Sequence, residues 1–321
     1  MSSPAIVVVR LGAMGDIIHA LPAVASLRQS FPRHRIIWVV APKWMPILEG
    51  NPNIDQIIPF NRRGKGSLRE AWRALRPLNP DIAIDFQGLL QSALVGRATR
   101  PKCFVGLHRS QARESLSALF YTRPTRTNGP HCVEMNLELA AAAGATQLTQ
   151  QAWLPEGSPE GDLPTGPFIF ASPFAGWTSK QWPLENYSFL AHELKAENLP
   201  LVVNVPPGSA AKLAGLPDLW VHESGLPGLI HATRRATAII GVDSGPMHLA
   251  AALGKPGVAI FGPTDPVRNG PFQSRLLVLR NASASTSYKR HAEIAPSMRA
   301  ISVEHVKDSL LHSIKLANVS A

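Results

Sequence analysis

The stretch Gly-Val-Asp-Ser-Gly-Pro-Met-His at residues 241–248 decides the fold of this chain. It lies between two apolar runs, residues 236–240 and 258–261, that are typical of buried parallel strands. Pro246 suits the first position of a helix, because it has no N–H group to leave unpaired and its φ is already helical. The sequence therefore predicts a strand, a tight turn and a helix that ends at Gly254.

The start of this predicted helix has two interpretations. Free backbone N–H groups and the positive end of the helix dipole favour an anion such as a phosphate, while an acid in the turn accepts a hydrogen bond from a sugar hydroxyl. The alternative is an ordinary strand-to-helix turn in which Asp243 or Ser244 caps the helix. The stretch by itself does not decide between a binding site and a cap.

Length and composition favour a globular protein of the cytoplasm. With 321 residues, 45% of them hydrophobic, the chain is long enough for one large or two medium domains. Its two cysteines, Cys103 and Cys132, provide no disulfide framework, which favours a reducing compartment. No apolar run reaches the roughly 18 residues of a spanning helix, and residues 5–9 are too few for a secretion signal. We expect a cytoplasmic protein that is soluble or peripheral to a membrane.

The charge of the chain predicts an anionic partner. There are 32 basic and 22 acidic residues, and between Asn61 and Arg126 the numbers are thirteen and four. Anionic lipid headgroups or a phosphorylated glycolipid fit this excess. Nucleic acid is not expected, because zinc-finger spacing, an RNP-type aromatic motif and a basic tail are all missing from the sequence. A merely solvated basic face is the remaining alternative.

Short apolar runs alternate with helical patterns in both halves, which predicts βαβ units and parallel sheets. We assign residues 1–154 and 168–302 to two doubly wound, Rossmann-like domains, with ligands in a cleft between them at the carboxyl ends of strands. Residues 155–167, rich in Pro, Gly and acids, are predicted to be a linker. Residues 303–321 form a predicted C-terminal helix that we expect to pack back on the N-terminal domain.

The first predicted strand is followed by Arg-Leu-Gly-Ala-Met-Gly-Asp at residues 10–16. Gly12 and Gly15 permit a tight turn and close approach of a ligand to the backbone. Their spacing is not that of a dinucleotide-binding fingerprint. Asp16 is either a helix cap or a general base at the carboxyl end of a strand.

The stretch Ser-Pro-Phe-Ala-Gly-Trp-Thr-Ser-Lys-Gln-Trp-Pro at residues 172–183 repeats the arrangement of strand, loop and helix. Lys180 either adds a positive charge to a phosphate site or is simply solvated. Trp177 and Trp182 are expected to be packing residues. Since the histidines lack metal-ligand spacing and the chain has no Asp-x-Asp, we predict neither a metal site nor another cofactor.

In combination, these motifs resemble the lipopolysaccharide core heptosyltransferases. The resemblance rests on the Gly-Asp at 15–16, Lys-x-Trp-Pro at 180–183, the turn 241–245 with His248, and Phe-Gly-Pro-Thr-Asp-Pro at 261–266, in order over nearly the whole chain. Two further stretches favour the heptosyltransferase I branch: Ile-Asp-Phe-Gln-Gly-Leu-Leu at 84–90 and Ala-Arg-Glu-Ser-Leu-Ser-Ala-Leu-Phe-Tyr at 112–121.

The resemblance implies a GT-B fold and inverting, metal-independent transfer of L-glycero-D-manno-heptose from ADP-heptose. The acceptor would be 3-deoxy-octulosonic acid of lipid A, at the inner leaflet of the inner membrane. Matched residue by residue, Asp16 is the implied base and Lys180 the donor-phosphate lysine. The other implied donor-binding residues are Gly15, Ala175, Gly176, Asp243, Ser244, Gly245 and His248. The implied acceptor-binding residues are Arg62, Arg63, Gln87 and Arg113.

The chain departs from the family pattern at four places. Gly12 and Ala13 stand where small hydroxyl residues often precede the Gly-Asp, and Gln91 stands where Lys is common. Relatives tend to carry a Glu for the ribose after the Pro-Pro-Gly loop, whereas residues 209–212 here are Ser-Ala-Ala-Lys. The polar pair after the second domain's first strand is replaced by Ala175 and Gly176, so phosphate contacts there would come from backbone N–H groups.

Three other functions are weighed. Heptosyltransferase II has the same chemistry but adds to heptose. A nicotinamide-dependent oxidoreductase needs the fingerprint glycine and ribose acid that are missing here. A non-catalytic binder of anionic glycolipid leaves Asp16 without a role.

For Arg62, Arg63 and Arg113, the alternative is that the arginines are solvated and that Leu116, Leu119 and Phe120 anchor a core helix.

Overall fold

The computed structural model describes residues 4–61, 67–287 and 289–319. The chain forms two compact units, Met1–Pro155 and Glu156–Ala321. Each unit contains a six-stranded sheet whose paired strands run parallel, with helices in the connections between them. The α/β class predicted from the alternation of apolar runs and helical patterns is therefore confirmed.

The first unit is a doubly wound sheet. Its strands are β1 (Ala5–Val9), β2 (Arg35–Val40), β3 (Gln56–Pro59), β4 (Ile82–Asp85), β5 (Cys103–Leu107) and β6 (Arg123–Thr125). Its helices are α1 (Met14–Ser30), α2 (Ser67–Leu75), α3 (Leu90–Ala98) and α4 (Cys132–Ala142), with 3₁₀-helices at Pro42–Ile47 and Ser115–Phe120. The strand order β3-β2-β1-β4-β5-β6 reverses between β1 and β4, the place where such sheets bind ligands.

Strand β1 lies at the centre of this sheet and is apolar along its whole length. All five of its residues are buried, as expected when helices cover both faces of a parallel sheet. Val7 and Val9 pack in one cluster with Ile37 and Val39 of β2. The register also pairs Val9 with Asp85 of β4, so the loops that follow β1 and β4 emerge side by side.

The second unit repeats this plan. Its strands are β7 (Ile169–Ser172), β8 (Leu201–Val205), β9 (Trp220–Glu223), β10 (Ala238–Val242), β11 (Gly257–Phe261) and β12 (Leu276–Arg280). Its helices are α5 (Leu184–Leu194), α6 (Leu226–Arg235), α7 (Gly245–Ala252), α8 (Pro266–Asn269), α9 (Pro296–Arg299) and α10 (Val303–Val319), with 3₁₀-helices at Thr178–Lys180, Lys195–Glu197 and Ala210–Leu213. The order β12-β11-β10-β7-β8-β9 places the reversal between β10 and β7.

The register of β10 brings its turn next to the loop that follows β7. Gly241 lies opposite Ser172 of β7. A Cβ atom on Gly241 would lie 2.7 Å from the Cβ atom of Met247, so the glycine lets α7 pack closely against its own strand. The strand predicted at residues 236–240 begins two residues later, because Ala236 still caps α6.

The contacts at both ends of the second unit lie within that unit. The segment predicted as a linker is packed on this unit, since the Glu160 carboxylate accepts a hydrogen bond from Gly225 N–H at 2.7 Å. Helix α10 places Val306 and Leu310 in the unit's own core. The predicted packing of this helix on the N-terminal unit stays a prediction.

Candidate active site

Asp16 lies in the first turn of α1, at the carboxyl end of β1, next to the buried Gly15. Its Oδ2 atom accepts a hydrogen bond from Ala13 N–H at 3.1 Å, and its Oδ1 atom lies 2.7 Å from Arg10 Nη2. The carboxylate therefore takes part in capping the helix, as the capping interpretation predicts. Because 40% of the side chain is exposed, this cap leaves Asp16 accessible to a substrate hydroxyl.

Arg10 is a residue of this site that the sequence analysis did not single out. Besides its ion pair with Asp16, its guanidinium donates a hydrogen bond to the carbonyl oxygen of Phe86, just after β4. The arginine thus orients the carboxylate and joins the loops after β1 and β4. An isolated arginine carries no sequence signal for such a role, because most arginines are solvated.

The loop after β4 is held by two of its own side chains. Gln87 accepts a hydrogen bond from Leu11 N–H at 2.8 Å through Oε1, which leaves its side-chain NH₂ group as the part suited to an acceptor substrate. Below it, the fully buried Asp85 accepts hydrogen bonds from Ser92 Oγ at 2.7 Å and Tyr121 Oη at 2.8 Å. Burial raises the pKa of Asp85, although these hydrogen bonds favour its ionised form.

Arg113 is exposed and lies next to the same loop. A Cβ atom on Gly88, whose φ is +68°, would lie 3.4 Å from Arg113 N, so the glycine permits both the turn and the close approach. The neighbouring Glu114 N–H donates to the Gly88 carbonyl at 3.0 Å. Arg113 is therefore anchored at the edge of the first sheet where Asp16 also lies.

The remaining acceptor predictions have different outcomes. Arg62 and Arg63 lie outside the described residues. The alternative in which Leu116 and Leu119 anchor a core helix is wrong, because both are exposed on the 3₁₀-helix Ser115–Phe120. Only Phe120 of these three packs against the core of the unit.

The candidate donor site in the second unit centres on Asp243, just after β10. Lys180 Nζ lies 2.6 Å from Asp243 Oδ2, and Thr264 Oγ1 donates to the same oxygen at 2.6 Å. His248 Nε2 lies 3.8 Å from Asp243 Oδ1. The structure thus brings together three of the predicted donor-site residues and adds Thr264. The sequence pointed to Thr264 only through the Phe-Gly-Pro-Thr-Asp-Pro stretch at 261–266, which contains it.

Asp243 is an ionised carboxylate inside the protein. Burial by itself would raise its pKa, but the nearby His248 side chain and the charge of Lys180 outweigh burial and hold the pKa well below its usual range. The acid of the turn was predicted to accept a hydrogen bond from a sugar hydroxyl. In the structure its oxygens contact Lys180, Thr264 and His248, and the predicted hydrogen bond with a sugar hydroxyl stays a prediction.

The start of α7 is not capped by either predicted side chain. Ser244 occupies the N-cap position, yet its side chain makes no capping hydrogen bond, and its Oγ is buried without a partner in the described part of the chain. The Asp243 carboxylate is used elsewhere. The capping alternative is therefore wrong, and the first turn, which begins at Gly245, is not blocked by a side chain.

The loop after β7 is open and carries positive charge. A Cβ atom on Gly176 would meet nothing within 4 Å, and the adjacent Ala175 carbonyl accepts a hydrogen bond from the side chain of Gln181. Lys180 Nζ lies 4.3 Å from the ring centroid of Trp177, and the Arg290 guanidinium lies 5.5 Å from it. Trp177 therefore holds cations over its ring.

Trp182 is a core residue, as predicted. Its side chain is fully buried, and its ring N–H donates to the Ile301 carbonyl at 2.9 Å. The ring also packs edge-on against Tyr187 of α5. This packing fixes the chain just after Lys180.

Glu223 is a second candidate site residue that the sequence analysis did not single out. It ends β9, is exposed, and its carboxylate accepts a hydrogen bond from Gly208 N–H in the Pro-Pro-Gly loop after β8. The loop that lacks the expected Glu is thus contacted by a Glu from the next strand. Only the sheet order β7-β8-β9 reveals this, because 15 residues separate Glu223 from Gly208.

Two features are absent from the part of the chain that the structure describes. There, no group of three His, Cys, Asp or Glu residues is arranged to hold a metal ion. Within the same ranges, every helix is too short or too polar to cross a membrane. Near the candidate donor site, side chains such as Lys180 and Arg290 bring the positive charge.

Comparison with known proteins assigns this arrangement to a class of enzyme. The model of glycosyltransferase family 9 (heptosyltransferase) matches residues 68–296, which is most of the chain. The chain therefore belongs to glycosyltransferase family 9, the heptosyltransferases.

Individual relatives and a solved structure show how similar the chain is to particular heptosyltransferases. The chain is 31% identical over 289 residues to lipopolysaccharide heptosyltransferase 1 of Pseudomonas aeruginosa, covering 83% of this chain and 81% of that protein. It is 28% identical over 307 residues to lipopolysaccharide heptosyltransferase 2 of Escherichia coli K12, covering 83% and 85%. A solved structure of E. coli heptosyltransferase WaaC with ADP-2-deoxy-2-fluoro heptose is similar with a TM-score of 0.76 at 23% identity, covering 99% of this chain and 100% of that chain.

These findings confirm the predicted GT-B fold and the predicted class, a glycosyltransferase of the lipopolysaccharide heptosyltransferase kind. They exclude the oxidoreductase and the non-catalytic glycolipid binder as the function of the chain. The similarity extends to both heptosyltransferases 1 and 2, so family membership alone does not choose between their acceptors.

Proposed function

We propose that this enzyme transfers L-glycero-D-manno-heptose from ADP-heptose to 3-deoxy-octulosonic acid of lipid A, with inversion and without a metal ion. It does so at the cytoplasmic surface of the inner membrane, without a nucleic acid partner. The observation that carries the proposal is the cluster of Lys180, Asp243 and Thr264 beside the uncapped start of α7, which suits a sugar diphosphate. The higher identity to the type 1 relative favours this acceptor over the heptose used by heptosyltransferase II.

In the donor half, the site stabilises the departing diphosphate. As the bond between heptose and ADP breaks, negative charge grows on the phosphate oxygens. The Lys180 ammonium has three donors, and Asp243 orients it while occupying one of them. A cation and helix start that are already in place need no reorganisation during the reaction. They supply the charge that Mg²⁺ provides in metal-dependent transferases.

In the acceptor half, Asp16 acts as general base. Its exposed carboxylate removes the proton of the acceptor hydroxyl as that oxygen attacks the anomeric carbon of the heptose. The attack comes from the face opposite the diphosphate, so the new C–O bond has inverted configuration. Arg10 holds the carboxylate in its orientation throughout.

Transfer of labelled heptose tests this function. The full chain is incubated in EDTA with radiolabelled ADP-heptose and lipid A that carries 3-deoxy-octulosonic acid, and label is expected in the lipid fraction. A parallel acceptor already carries one heptose. Transfer confined to that second acceptor would identify heptosyltransferase II, and a strict requirement for Mg²⁺ would contradict the metal-free mechanism.

The Arg113→Ala variant is expected to raise KM for the lipid acceptor about tenfold while KM for ADP-heptose stays nearly constant. Arg113 is exposed and lies next to Gly88 in the loop after β4, and a guanidinium forms paired hydrogen bonds with carboxylates and phosphates worth about 1.5–3 kcal/mol. Steady-state kinetics with each substrate varied in turn measure both constants. Arg33→Ala, at an exposed arginine in the turn between α1 and β2, is the control. A defect selective for the donor would place Arg113 on the wrong substrate.

Glu223 takes the place of the missing ribose ligand in our proposal. The Glu223→Gln variant should raise KM for ADP-heptose about tenfold, because a carboxylate accepts hydrogen bonds from ribose hydroxyls more strongly than an amide does. Wild-type enzyme should also bind 2′-deoxy-ADP or 3′-deoxy-ADP more weakly than ADP, and the variant should discriminate less. Glu185→Gln, at an exposed glutamate on α5, serves as control. Equal discrimination in variant and wild type would remove Glu223 from the nucleotide site.

A further inference from the structure

The 3₁₀-helix Ser115–Phe120 presents apolar side chains to the outside. Leu116 is 61% exposed and Leu119 is 79% exposed, whereas Ser117 between them is fully buried. This is the reverse of the usual arrangement, in which the leucines of a short helix face the core and its serines face water. Removing two leucines from water in this position requires a surface outside the unit.

Helix α3 continues this apolar surface. It contacts the 3₁₀-helix, and it exposes Leu90 and Leu94, one turn apart on its outer face, with Leu94 49% exposed. The two elements are tied together, since Leu90 N–H donates to the Glu114 carboxylate at 2.6 Å. We name Leu90, Leu94, Leu116 and Leu119 the leucine patch. Contiguous exposed leucines on a rigid surface mark a contact site more often than scattered ones do.

The surroundings of the leucine patch are positively charged. Between residues 86 and 126 the sequence carries seven Lys and Arg residues and a single acid, Glu114, whose carboxylate is already hydrogen-bonded to Leu90. Exposed arginines stand on both elements or next to them: Arg97 follows Leu94 by three residues on α3, and Arg109 and Arg113 precede the 3₁₀-helix. Apolar side chains surrounded by cations match an anionic lipid surface, which offers acyl chains below a layer of phosphates.

We propose that the leucine patch is the surface by which this enzyme rests on an anionic lipid bilayer. This inference builds on the proposed function, in which the acceptor sugar is anchored to lipid. The patch adjoins the acceptor residues, because Leu90 follows Gly88 by two positions and Leu116 follows Arg113 by three. A sugar held at the bilayer surface is thereby presented at the sheet edge that carries Arg113 and Asp16. A second copy of the chain is a poorer occupant, since it would face the patch with the same positive charge.

Vesicle sedimentation tests the proposal without any substrate. The full chain is spun with vesicles of phosphatidylcholine alone or with added phosphatidylglycerol. We expect binding to the anionic vesicles, and a decrease of at least about tenfold in the Leu116→Ser/Leu119→Ser variant. Both positions are exposed, so the fold should not suffer. The control is Leu148→Ser/Phe189→Ser, which removes two exposed apolar side chains outside the patch, 52% and 64% exposed.

Activity separates this proposal from the proposed function. With acceptor embedded in anionic vesicles, the patch variant should lose most of its turnover. With a water-soluble acceptor that lacks acyl chains, it should match wild type. The proposal would be overturned if the wild-type protein did not bind anionic vesicles, or if the patch variant bound them as well as wild type does. It would also be overturned if sedimentation velocity showed that the wild-type protein is a dimer and that the patch variant is a monomer. If heptose were transferred to none of the acceptors, the proposed function would be contradicted, whereas the vesicle-binding result would remain valid.

Discussion

The Asp16→Asn variant is expected to lower kcat by roughly a hundredfold or more, the usual effect of removing a general base. Asparagine has nearly the same shape and keeps an oxygen that can accept the hydrogen bond from Ala13 N–H, so the cap of α1 should survive. It cannot take a proton from the acceptor hydroxyl. Affinity for ADP, measured by calorimetry, should barely change, because Asp16 belongs to the first unit and the donor cluster to the second.

A second ion pair of the first unit, between Asp55 and Arg28, provides the control for this experiment. Asp55 forms a matching pair with Arg28 in the same unit, and its side chain is 42% exposed against 40% for Asp16. Asp55 also accepts a hydrogen bond from Ile36 N–H, as Asp16 does from Ala13. Both Asp→Asn changes should therefore lower the melting temperature by similar small amounts, yet only Asp16→Asn should lower kcat strongly. Turnover within a few-fold of wild type in Asp16→Asn would exclude Asp16 as the base.

The Lys180→Ala variant is expected to weaken ADP binding about 10- to 150-fold, the equivalent of the 1.5–3 kcal/mol of a hydrogen bond to a charged group. Turnover should fall as well, because the same ammonium stabilises the departing diphosphate. The change also leaves the buried Asp243 carboxylate without its cation. Breaking such a buried pair costs about 3 kcal/mol or more, so the second unit should melt at lower temperature.

A double variant separates binding from stability. Lys180→Ala/Asp243→Ala removes both charges, so it should regain part of the lost thermal stability without regaining ADP affinity. Lys195→Ala is the matched control: this exposed lysine pairs with Asp218, and such surface pairs contribute little to stability. If calorimetry finds wild-type ADP affinity in Lys180→Ala, or if the double variant restores affinity together with stability, Lys180 is not a phosphate ligand.

Local pattern was sufficient for much of the fold. Val-rich runs such as β1 are buried on both faces, and a continuous apolar run of that length needs no knowledge of distant residues to be identified. Strands β6 and β9 carry no such local signal. β6 has three residues with Pro124 in the middle, and β9 has one buried residue of four, so neither shows an apolar run. Their place at or near the sheet edges is set by pairing with neighbouring strands.

The sequence by itself determined the class of fold, the family, the positions of Asp16 and Asp243 after strands, and the position of Lys180 just before a helix. This was possible because apolar runs, turn residues and short motifs are properties of neighbouring residues. Only the tertiary structure decided what these groups contact. Lys180 and Asp243 are 63 positions apart in the sequence and are brought together by the pairing of β7 with β10. The pairing of β8 with β9 brings Glu223 to Gly208. Likewise, Leu116 and Leu119 face outward because their helix is fixed beside α3, and no local pattern contains that orientation.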